Sequence, residues 1–417
     1  MAVKKTSGFA TSAPTTALSE SAKKALLDAA VEQSYKNIET KFIETGDVGL
    51  DLAMTNGLGL PEGSSILLWA KQAVGKTTIL GDMCKRLLDE ATRKGEDYKV
   101  LFVAVENSKE LLKSMGLGKY MASKQLLYLA GQTNWRKIEL YYDAILQGYK
   151  EFAGVKLVII DSVNTVLSDS NVDKSGSDGD FGTRARERGN FYAKYLPICS
   201  ERGITSVFIS QVRKKQDAGL YEDPSKAAVT HADLHSVEII FKCTKKVLSS
   251  TDGQVEKETA FGKFKEQRRY IVKLDSSCTD CKNRFFNSVP AEILVVKGKG
   301  VDNTYALRKL LEFNKYIKSS GGWFTFSPEL SEVLGIPEKK NMRIAEVNEY
   351  LRNNTGLLIG LLKEAGQYCL SASESDLSEE ETFDADEIDE DEAEAAEKAR
   401  EEALEYSDED EEDEEND

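Results

Sequence analysis

The feature that most constrains the fold is a glycine-bearing loop between an apolar run and a segment with helical spacing. The loop reads AKQAVGKTT, from Ala70 to Thr78, and it follows SSILLWA, which is typical of a buried strand. The segment TTILGDMCKRLLDEATRK comes next and has apolar residues at helical spacing. The loop matches the Walker A spacing, except that Ala70 stands where the first glycine is expected. A strand, this loop and a helix in that order predict an α/β nucleotide-binding core.

The loop residues have predicted roles in holding a polyphosphate. Backbone N–H groups of the loop and of the helix start can surround an anion. The Lys76 ammonium supplies charge to the β- and γ-phosphates, and the Thr77 hydroxyl can ligate Mg²⁺. We therefore expect ATP and Mg²⁺ as cofactors. The predicted cofactor-binding residues are Ala70, Lys71, Gln72, Ala73, Val74, Gly75, Lys76, Thr77 and Thr78.

Three further apolar runs end in a polar side chain. LVIID ends at Asp161, which fits a Walker B acid that orients Mg²⁺ through water. LFVAVE ends at Glu106, on a strand that we expect beside the P-loop strand, where its carboxylate could take a proton from water. VFISQ ends at Gln211, whose amide could sense the γ-phosphate and reposition the loop after it. Each residue alone is also typical of an ordinary strand end, so the prediction depends on their combination.

The remaining pattern favours a mostly parallel sheet with helices on both faces. Near-continuous apolar runs are typical of strands that are buried on both sides, and here they alternate with helical segments such as 135–152 and 191–202. Further strand-like runs follow at 236–243, 269–275 and 291–297. From about residue 305 the pattern changes to short helical segments around SSGGWFTF, which predicts a small α/β appendage.

Charge is distributed unevenly along the chain. The segment from Glu374 to Asp417 holds 26 acids and two bases, a local net charge of −24. Since the whole chain has a net charge of −16, the rest of it has +8. The tail is too charged to fold alone, and two interpretations of it stay open. It either competes with an anionic partner for the basic body or keeps the protein in solution.

Other classes of protein are excluded by composition. No run approaches the ~20 consecutive apolar residues of a membrane helix, and the polar N-terminus lacks the apolar core of a secretory signal. Six cysteines in 417 residues fit reduced thiols, so we expect a cytoplasmic protein. Cys278 and Cys281 have zinc-like or redox-like spacing, but Cys243 is the one candidate nearby for a third ligand. We therefore expect two thiols in a connecting hairpin.

Taken in order, these motifs resemble the RecA family of recombinases, and in style they are closest to the phage UvsX-like members. The resemblance covers about residues 20–370 and includes KFIETGDVGLDLAMTNGLGLPEGSSILLWAKQAVGKTT, the strand ending in Glu106, VIIDSVNTV, FISQVRKKQ and GGWFTF. It implies a RecA-like P-loop ATPase core with appended parts. The expected divisions are an N-terminal tail and polymerisation helix (1–41), the ATPase core (42–300), a small C-terminal α/β domain (301–370) and a disordered acidic tail (371–417).

The resemblance implies a DNA-dependent ATPase that forms helical filaments on single-stranded DNA and pairs homologous strands in recombination and repair. By that match Lys76 and Thr77 hold the nucleotide and Mg²⁺, and Asp161 completes the metal site. Glu106 polarises the attacking water, while Gln211 links the γ-phosphate to the following loop. The implied partners are single- and double-stranded DNA, further copies of this chain, and single-strand-binding and mediator proteins. The implied setting is the cytoplasm of a bacterium or of a bacterial host cell.

The resemblance also implies two loops that line the DNA, at 168–182 and about 212–231. The second loop carries four basic residues suited to phosphate contacts, Arg213, Lys214, Lys215 and Lys226. The first loop is acidic, which suits phosphate poorly. Its alternative DNA contacts are Phe181 and the basic residues just beyond it, Arg184, Arg186 and Arg188.

Family members also reach the nucleotide of the neighbouring subunit with two basic residues from a segment like VKLDSSCTDCKNRFF. Lys273 is the candidate for one of these residues, but Asp275 stands where the second is expected. Lys282 or Arg284 could substitute for it.

Two other functions remain compatible with the motifs. One is a RecA-fold ATPase of another class, such as a ring-forming helicase motor. The other is a regulatory paralogue without catalysis, which is suggested by Ala70 and the incomplete basic pair. The GGWFTF segment and the acidic tail favour a recombinase.

Deletion of the tail from Glu374 to Asp417 is expected to strengthen duplex DNA binding, because a body of net charge +8 loses a −24 competitor. The gain should shrink as salt rises, since the Debye length falls from ~30 Å at 0.01 M to ~8 Å at 0.15 M. The measurement is duplex affinity across a salt series. A tail with its acids changed to amides keeps the length without the charge, and it should behave like the deletion. Equal affinities at every salt concentration would contradict the competition.

Overall fold

The computed structural model of the protein describes residues 40–106, 108–168, 181–214, 225–226, 229–248, 254–259, 262–285, 290–337 and 340–369. The predicted N-terminal helix and the acidic tail lie outside these residues. So do Lys215 and residues 169–180 of the first predicted DNA loop. No helix in the described part of the chain combines the length and apolar character that crossing a membrane requires.

The helices follow the predicted order. They are α1 (Val48–Thr55), α2 (Lys76–Lys94), α3 (Lys109–Ser114), α4 (Gly118–Ala122), α5 (Trp135–Leu146), α6 (Phe181–Glu201), α7 (His231–Ser236), α8 (Thr304–Phe313), α9 (Pro328–Leu334), α10 (Ile344–Asn353) and α11 (Thr355–Glu364). The segment predicted as a helix over 191–202 belongs to the longer α6, and α5 ends at Leu146, earlier than the apolar pattern suggested.

The strands include all the apolar runs identified in the sequence. They are β1 (Phe42–Ile43), β2 (Leu60–Pro61), β3 (Ser65–Ala70), β4 (Lys99–Ala104), β5 (Leu126–Ala130), β6 (Val155–Asp161), β7 (Thr205–Gln211), β8 (Arg213–Lys214), β9 (Ser225–Lys226), β10 (Ile239–Val247), β11 (Gln254–Thr259), β12 (Gly262–Gln267), β13 (Arg269–Asp275), β14 (Lys282–Asn283), β15 (Ala291–Val296), β16 (Gly300–Asp302), β17 (Ile317–Ser320) and β18 (Trp323–Phe326).

A 10-stranded sheet forms the centre of the protein. Its order is β16-β15-β13-β10-β3-β7-β6-β4-β5, and β14 pairs with β10. The pairs from β10 to β5 are parallel, whereas β13, β15 and β16 extend the sheet in antiparallel fashion. The fold is therefore α/β with a mostly parallel sheet, as the sequence predicted.

Helices cover both faces of this sheet, and β3 shows how. Alternate residues of β3 point to opposite faces, so Ile66 and Leu68 lie in one apolar cluster while Leu67 and Trp69 lie in another. The first cluster is closed by the apolar side of α2, and the second by aromatic residues of α5 and α6. Every residue of β3 is buried, which explains its unbroken apolar sequence.

The segment after β15 forms a third apolar cluster around α8, α10 and α11. Helix α1 contributes Val48 and Leu52 to this cluster and Leu50 to the first one. Asp47 caps the start of α1 by accepting a hydrogen bond from the Leu50 N–H at 3.2 Å. The C-terminal segment therefore shares α1 with the central sheet.

Gly49→Ala is expected to destabilise the protein. The new Cβ would lie 2.8 Å from Ile293 Cγ1 and 3.1 Å from the Glu292 carbonyl oxygen. Overpacking of this kind costs about 1–3 kcal/mol, more than the gain of about 1 kcal/mol when alanine replaces a helical glycine. Gly360→Ala in α11 is the matched control, because no atom lies within 4 Å of the added Cβ. Thermal unfolding midpoints should fall for the first variant and rise for the second; two equal shifts would contradict this.

Candidate functional site

The predicted phosphate loop and the three predicted strand-end residues, Asp161, Glu106 and Gln211, meet at one edge of the sheet. The carboxyl ends of parallel strands lie on the same side, and β3, β7, β6 and β4 are consecutive neighbours. In the register of these strands Ala70 pairs with Gln211, and Ala104 pairs with Asp161. Glu106 follows β4 by two residues, and its N–H donates to the Asp161 carbonyl oxygen at 3.2 Å.

The phosphate loop has the backbone that its sequence requires. Ala70 is the last residue of β3 and is not among the described non-glycine residues with positive φ, so an alanine is accommodated there. Ala73 has φ 57° and Gly75 has φ 109°. A Cβ on Gly75 would also lie 2.7 Å from the Tyr270 hydroxyl oxygen. Both backbone conformation and space therefore demand glycine at 75.

Lys76 is folded into the loop. Its Nζ donates to the carbonyl oxygens of Ala70 at 3.2 Å and of Lys71 at 3.1 Å, and the residue is 7% exposed. Burial lowers the pKa of Lys76, while Cys243, Asp161 and Glu106 oppose that shift. A buried ammonium held by neutral carbonyl groups is suited to an anion such as a polyphosphate.

Thr77 and Asp161 form the second part of the site. The Thr77 hydroxyl donates to Asp161 Oδ2 at 2.8 Å, and Asp161 is 3% exposed. Burial raises the pKa of Asp161 to about 6, the Thr77 hydrogen bond opposes this shift, and the Glu106 carboxylate adds to it. A nearby cation would favour the charged form of Asp161. Hydroxyl and carboxylate oxygens are the ligands that Mg²⁺ prefers, so these residues fit a magnesium nucleotide.

The third part of the site is a chain of hydrogen-bonded polar side chains that includes Gln211 and Glu106. Gln72 Nε2 donates to Gln211 Oε1 at 3.2 Å, and Gln211 Nε2 in turn donates to Glu106 Oε1. Ser162 Oγ lies 3.4 Å from the same Glu106 oxygen. The amide at the end of β7 therefore connects the phosphate loop to the candidate base.

Asn164 fixes the backbone of Gln211. Its Oδ1 accepts from the Gln211 N–H at 3.4 Å and from the Ser210 hydroxyl at 2.8 Å, and its Nδ2 donates to the Gln211 carbonyl oxygen at 3.4 Å. Sequence reasoning did not identify Asn164, although its position three residues after Asp161 in DSVN is a signal that could have done so. Tyr270 was also missed, and only its tertiary contact with Gly75 reveals it.

Several predictions were wrong. The strand that precedes Glu106 is not beside the P-loop strand, because β7 and β6 lie between β4 and β3. After α2 the chain enters the sheet at β4, three positions away from β3. The later strands β6 and β7 occupy the two positions between them. Glu106 still reaches the site, since its side chain spans to Gln211.

The two-thiol interpretation of Cys278 and Cys281 is also wrong, because the structure joins them in a disulfide across a tight turn. The Cys281 N–H donates to the Cys278 carbonyl oxygen at 2.9 Å, which places the two side chains together. Among the described residues, no three His, Cys, Asp or Glu side chains form a group that could hold a metal.

The predicted DNA-binding residues are only partly described. Arg213 and Lys214 form β8, which pairs with Ser225 and Lys226 of β9 in a short antiparallel hairpin. We call these four residues the basic hairpin. Its first strand begins two residues after Gln211. The alternative prediction that Arg188 contacts DNA is wrong, because the Arg188 side chain is 6% exposed and forms an ion pair with Asp233.

Lys273, the candidate for a contact with a neighbouring nucleotide, pairs with Asp275 of its own strand at 2.9 Å. Its side chain is 42% exposed. Lys282 Nζ and Arg284 Nη2 donate instead to backbone carbonyl oxygens at the end of α7, those of Leu234 and His235. A contact across subunits by Lys273 stays a prediction.

Comparison with known proteins gives a consistent result. The family model described as RecA N-terminal domain matches residues 16–253, more than half of the chain. Protein RecA of Salinispora tropica is 24% identical over 326 residues, which cover 76% of this chain and 80% of the relative. Protein RecA of Mycobacteroides abscessus is 24% identical over 296 residues, covering 69% and 74%. Protein RecA of Rickettsia canadensis is 28% identical over 179 residues, covering 43% and 48%.

Gly75→Ala is expected to weaken nucleotide binding by about tenfold. The left-handed backbone costs a non-glycine residue about 1–2 kcal/mol, so the loop of the variant relaxes to another conformation when no nucleotide is bound. Binding must then restore the original conformation, and a cost of about 1.4 kcal/mol corresponds to a factor of ten in affinity. Gly95→Ala is the matched control, because Gly95 has φ 70° at the other end of α2 with no atom within 4 Å of an added Cβ. It should lower stability without changing the affinity for a fluorescent ATP analogue. Equal losses of affinity in both variants would contradict a local role for Gly75.

Proposed function

The chain belongs to the RecA family of homologous recombinases, and from that membership we propose how its own residues carry out an ATP-dependent reaction on DNA. Proteins of this family are DNA-dependent ATPases that use ATP with Mg²⁺, bind single- and double-stranded DNA, and self-associate into filaments. The observation that supports the proposal for this chain is the meeting of Lys76, Thr77, Asp161, Glu106 and Gln211 at one sheet edge. The resemblance to phage members stays a prediction.

Nucleotide binding is assigned to the loop from Ala70 to Thr78. Its backbone N–H groups and the positive end of α2 surround the phosphates, and Lys76 places a buried charge among them. Thr77 and Asp161 supply oxygen ligands on the side facing β6. A bound Mg²⁺ would neutralise charge that develops on the phosphates.

Hydrolysis is assigned to Glu106. Its carboxylate lies at the exposed edge of the site, next to Ser162 and within the reach of Gln211. Once Gln211 releases it, the carboxylate can accept a proton from an attacking water. Gln211 would exchange this hydrogen bond for one to the terminal phosphate, so nucleotide state is communicated to the backbone of β7.

DNA binding is assigned to Arg213, Lys214, Lys215 and Lys226. Arg213 and Lys214 lie two and three residues after Gln211, so a change at Gln211 is transmitted through two or three peptide units. Positive side chains here would contact phosphate and hold DNA without reading its sequence. Self-association into a helical filament and Lys273 acting on a neighbour's nucleotide are part of the same proposal. Single-strand-binding and mediator proteins are its further proposed partners.

The competing functions are not favoured by any observation on the described residues. A helicase-type motor would share the P-loop, but the curated relatives described above are all named Protein RecA. A non-catalytic paralogue was suggested by Ala70, whose place in β3 with an ordinary backbone supports a working loop.

Glu106→Gln is expected to keep nucleotide binding and to lower ATP hydrolysis by about 10²-fold or more, because an amide cannot accept the proton of water. Hydrolysis is measured with and without single-stranded DNA, and filaments are followed by electron microscopy. In the parent protein DNA should stimulate hydrolysis, and in the variant filaments should persist after ATP addition.

Glu110→Gln on α3 is the control, because Glu110 is an exposed acid that pairs with Lys113 at 2.8 Å. Its hydrolysis rate should match the parent. If Glu106→Gln hydrolyses ATP at the parent rate, Glu106 is not the base. If the parent neither hydrolyses ATP nor forms filaments on DNA, the proposed function is wrong.

A further inference from the structure

We propose that the buried ion pair between Arg188 and Asp233 is a positioning element that makes DNA affinity depend on the bound nucleotide. The pair joins α6 to α7 and holds the far end of the basic hairpin. The inference rests on the proposed function and adds to it two buried residues outside the assigned nucleotide- and DNA-binding residues.

The pair is part of a closed hydrogen-bond network. Arg188 Nη2 and the Tyr192 hydroxyl both donate to Asp233 Oδ1, the latter at 2.9 Å, and Arg188 Nε donates to the Tyr192 oxygen at 3.0 Å. The exposed fractions of the Arg188 and Asp233 side chains are 6% and 0%. Burial of two charges is costly unless every partner is kept, so this network fixes one arrangement of α6 and α7.

The other carboxylate oxygen of Asp233 holds the start of α7. Asp233 Oδ2 accepts from the Thr230 N–H at 2.6 Å and from the Thr230 hydroxyl at 2.8 Å, which completes a capping box. Thr230 lies four residues after Lys226, the last residue of the basic hairpin. The same carboxylate therefore binds α6 through one oxygen and the chain that leaves the hairpin through the other.

The two helices also approach closely beside the network. A Cβ on Gly189 would lie 3.4 Å from the Ala232 Cβ, in van der Waals contact, so a larger side chain at 189 would press against α7. Lys282 and Arg284 donate to the Leu234 and His235 carbonyl oxygens. Helix α7 is thus held at its end as well as at its start.

The near end of the basic hairpin is held differently. Gln211 precedes Arg213 by two residues, and its side chain contacts Gln72 and Glu106 at the nucleotide site. One end of the hairpin is therefore connected to groups that face the nucleotide, and the other to a network that the nucleotide does not touch. A shift of Gln211 distorts the hairpin if the far end stays in place, whereas a free far end would let the hairpin follow the shift as one body. The Arg188–Asp233 pair supplies that fixed point.

The test is the double variant Arg188→Met with Asp233→Asn. It removes both charges, so no unpaired charge stays buried, and the Asn oxygen can still accept from Thr230. The measurement is the ratio of dissociation constants for an oligo-dT single strand with ADP and with a non-hydrolysable ATP analogue. Couplings between sites are typically 5–150-fold, which is the range expected for the parent. The double variant should show a ratio of about twofold or less, with DNA-independent ATP hydrolysis and the thermal midpoint close to the parent values.

A matched control changes a more exposed ion pair, which joins α6 to α5 instead of α7. Lys194→Met with Glu139→Gln removes a surface pair of 3.5 Å and should leave the ratio unchanged. Gly189→Val separates α6 from α7 without altering a charge, and it should also reduce the ratio. If the double variant does not fold, the ratio measured for Gly189→Val tests the inference in its place.

A parent-like ratio in the folded double variant, or in Gly189→Val, would overturn the inference while leaving the proposed function intact. A parent that shows no difference between the two nucleotides would overturn the proposed function as well. A reduced ratio in the surface-pair control would show that the effect is not specific to the buried pair, and the inference would fail.

Discussion

The parallel pairing of β3 with β7 is the constraint on which the site depends. It aligns Ser65 with Ser206 and Ala70 with Gln211, so the phosphate loop and the candidate sensor leave the sheet side by side. A slip of one residue would turn every side chain of β3 to the opposite face and separate Gln72 from Gln211. The register is protected because both faces of β3 are buried, with Leu67 and Leu68 packed in different clusters. The apolar sequence that forms the core therefore also positions the chemistry.

Burial of charge is concentrated where polar partners already exist. Lys76 is held by loop carbonyl groups, and Asp161 by the Thr77 hydroxyl. In a separate network, Arg188 and Asp233 neutralise each other together with Tyr192. The first two groups have capacity left for an anion and a cation, whereas the last two form a charge-neutral pair. This difference separates the groups suited to a ligand from those suited to holding helices together.

The sequence was sufficient for the parts of the fold that depend on contiguous residues. The P-loop needs only a strand, a short loop and a helix, so AKQAVGKTT placed β3, α2 and the Lys76–Thr77 pair correctly. Asp161 and Gln211 were identified as candidates because each ends an apolar run, and the structure places both at strand ends. The covering of both sheet faces by helices was also predicted, because unbroken apolar runs are typical of strands that are buried on both sides.

The order of strands could not be predicted in the same way. Local pattern does not determine which strand lies next to which, and β4 was placed beside β3 although two strands separate them. Arg188 shows the same limit, because an arginine close to a predicted DNA loop resembles a phosphate ligand until Asp233, 45 residues later, is brought against it. The disulfide between Cys278 and Cys281 likewise follows from the turn geometry and not from the spacing alone.

The C-terminal segment is connected to the nucleotide core through α1 and α2. Arg86 of α2 donates to Asp82 at 2.6 Å, to the Val301 carbonyl oxygen at 3.1 Å and to the Gly46 carbonyl oxygen at 3.0 Å. One guanidinium thus joins the helix that begins at Lys76 to the strand that leads into α8 and to the residue before the cap of α1. Helix α2 begins at Lys76, directly after the candidate phosphate loop. The small C-terminal module is therefore packed against the same helix that begins at this loop.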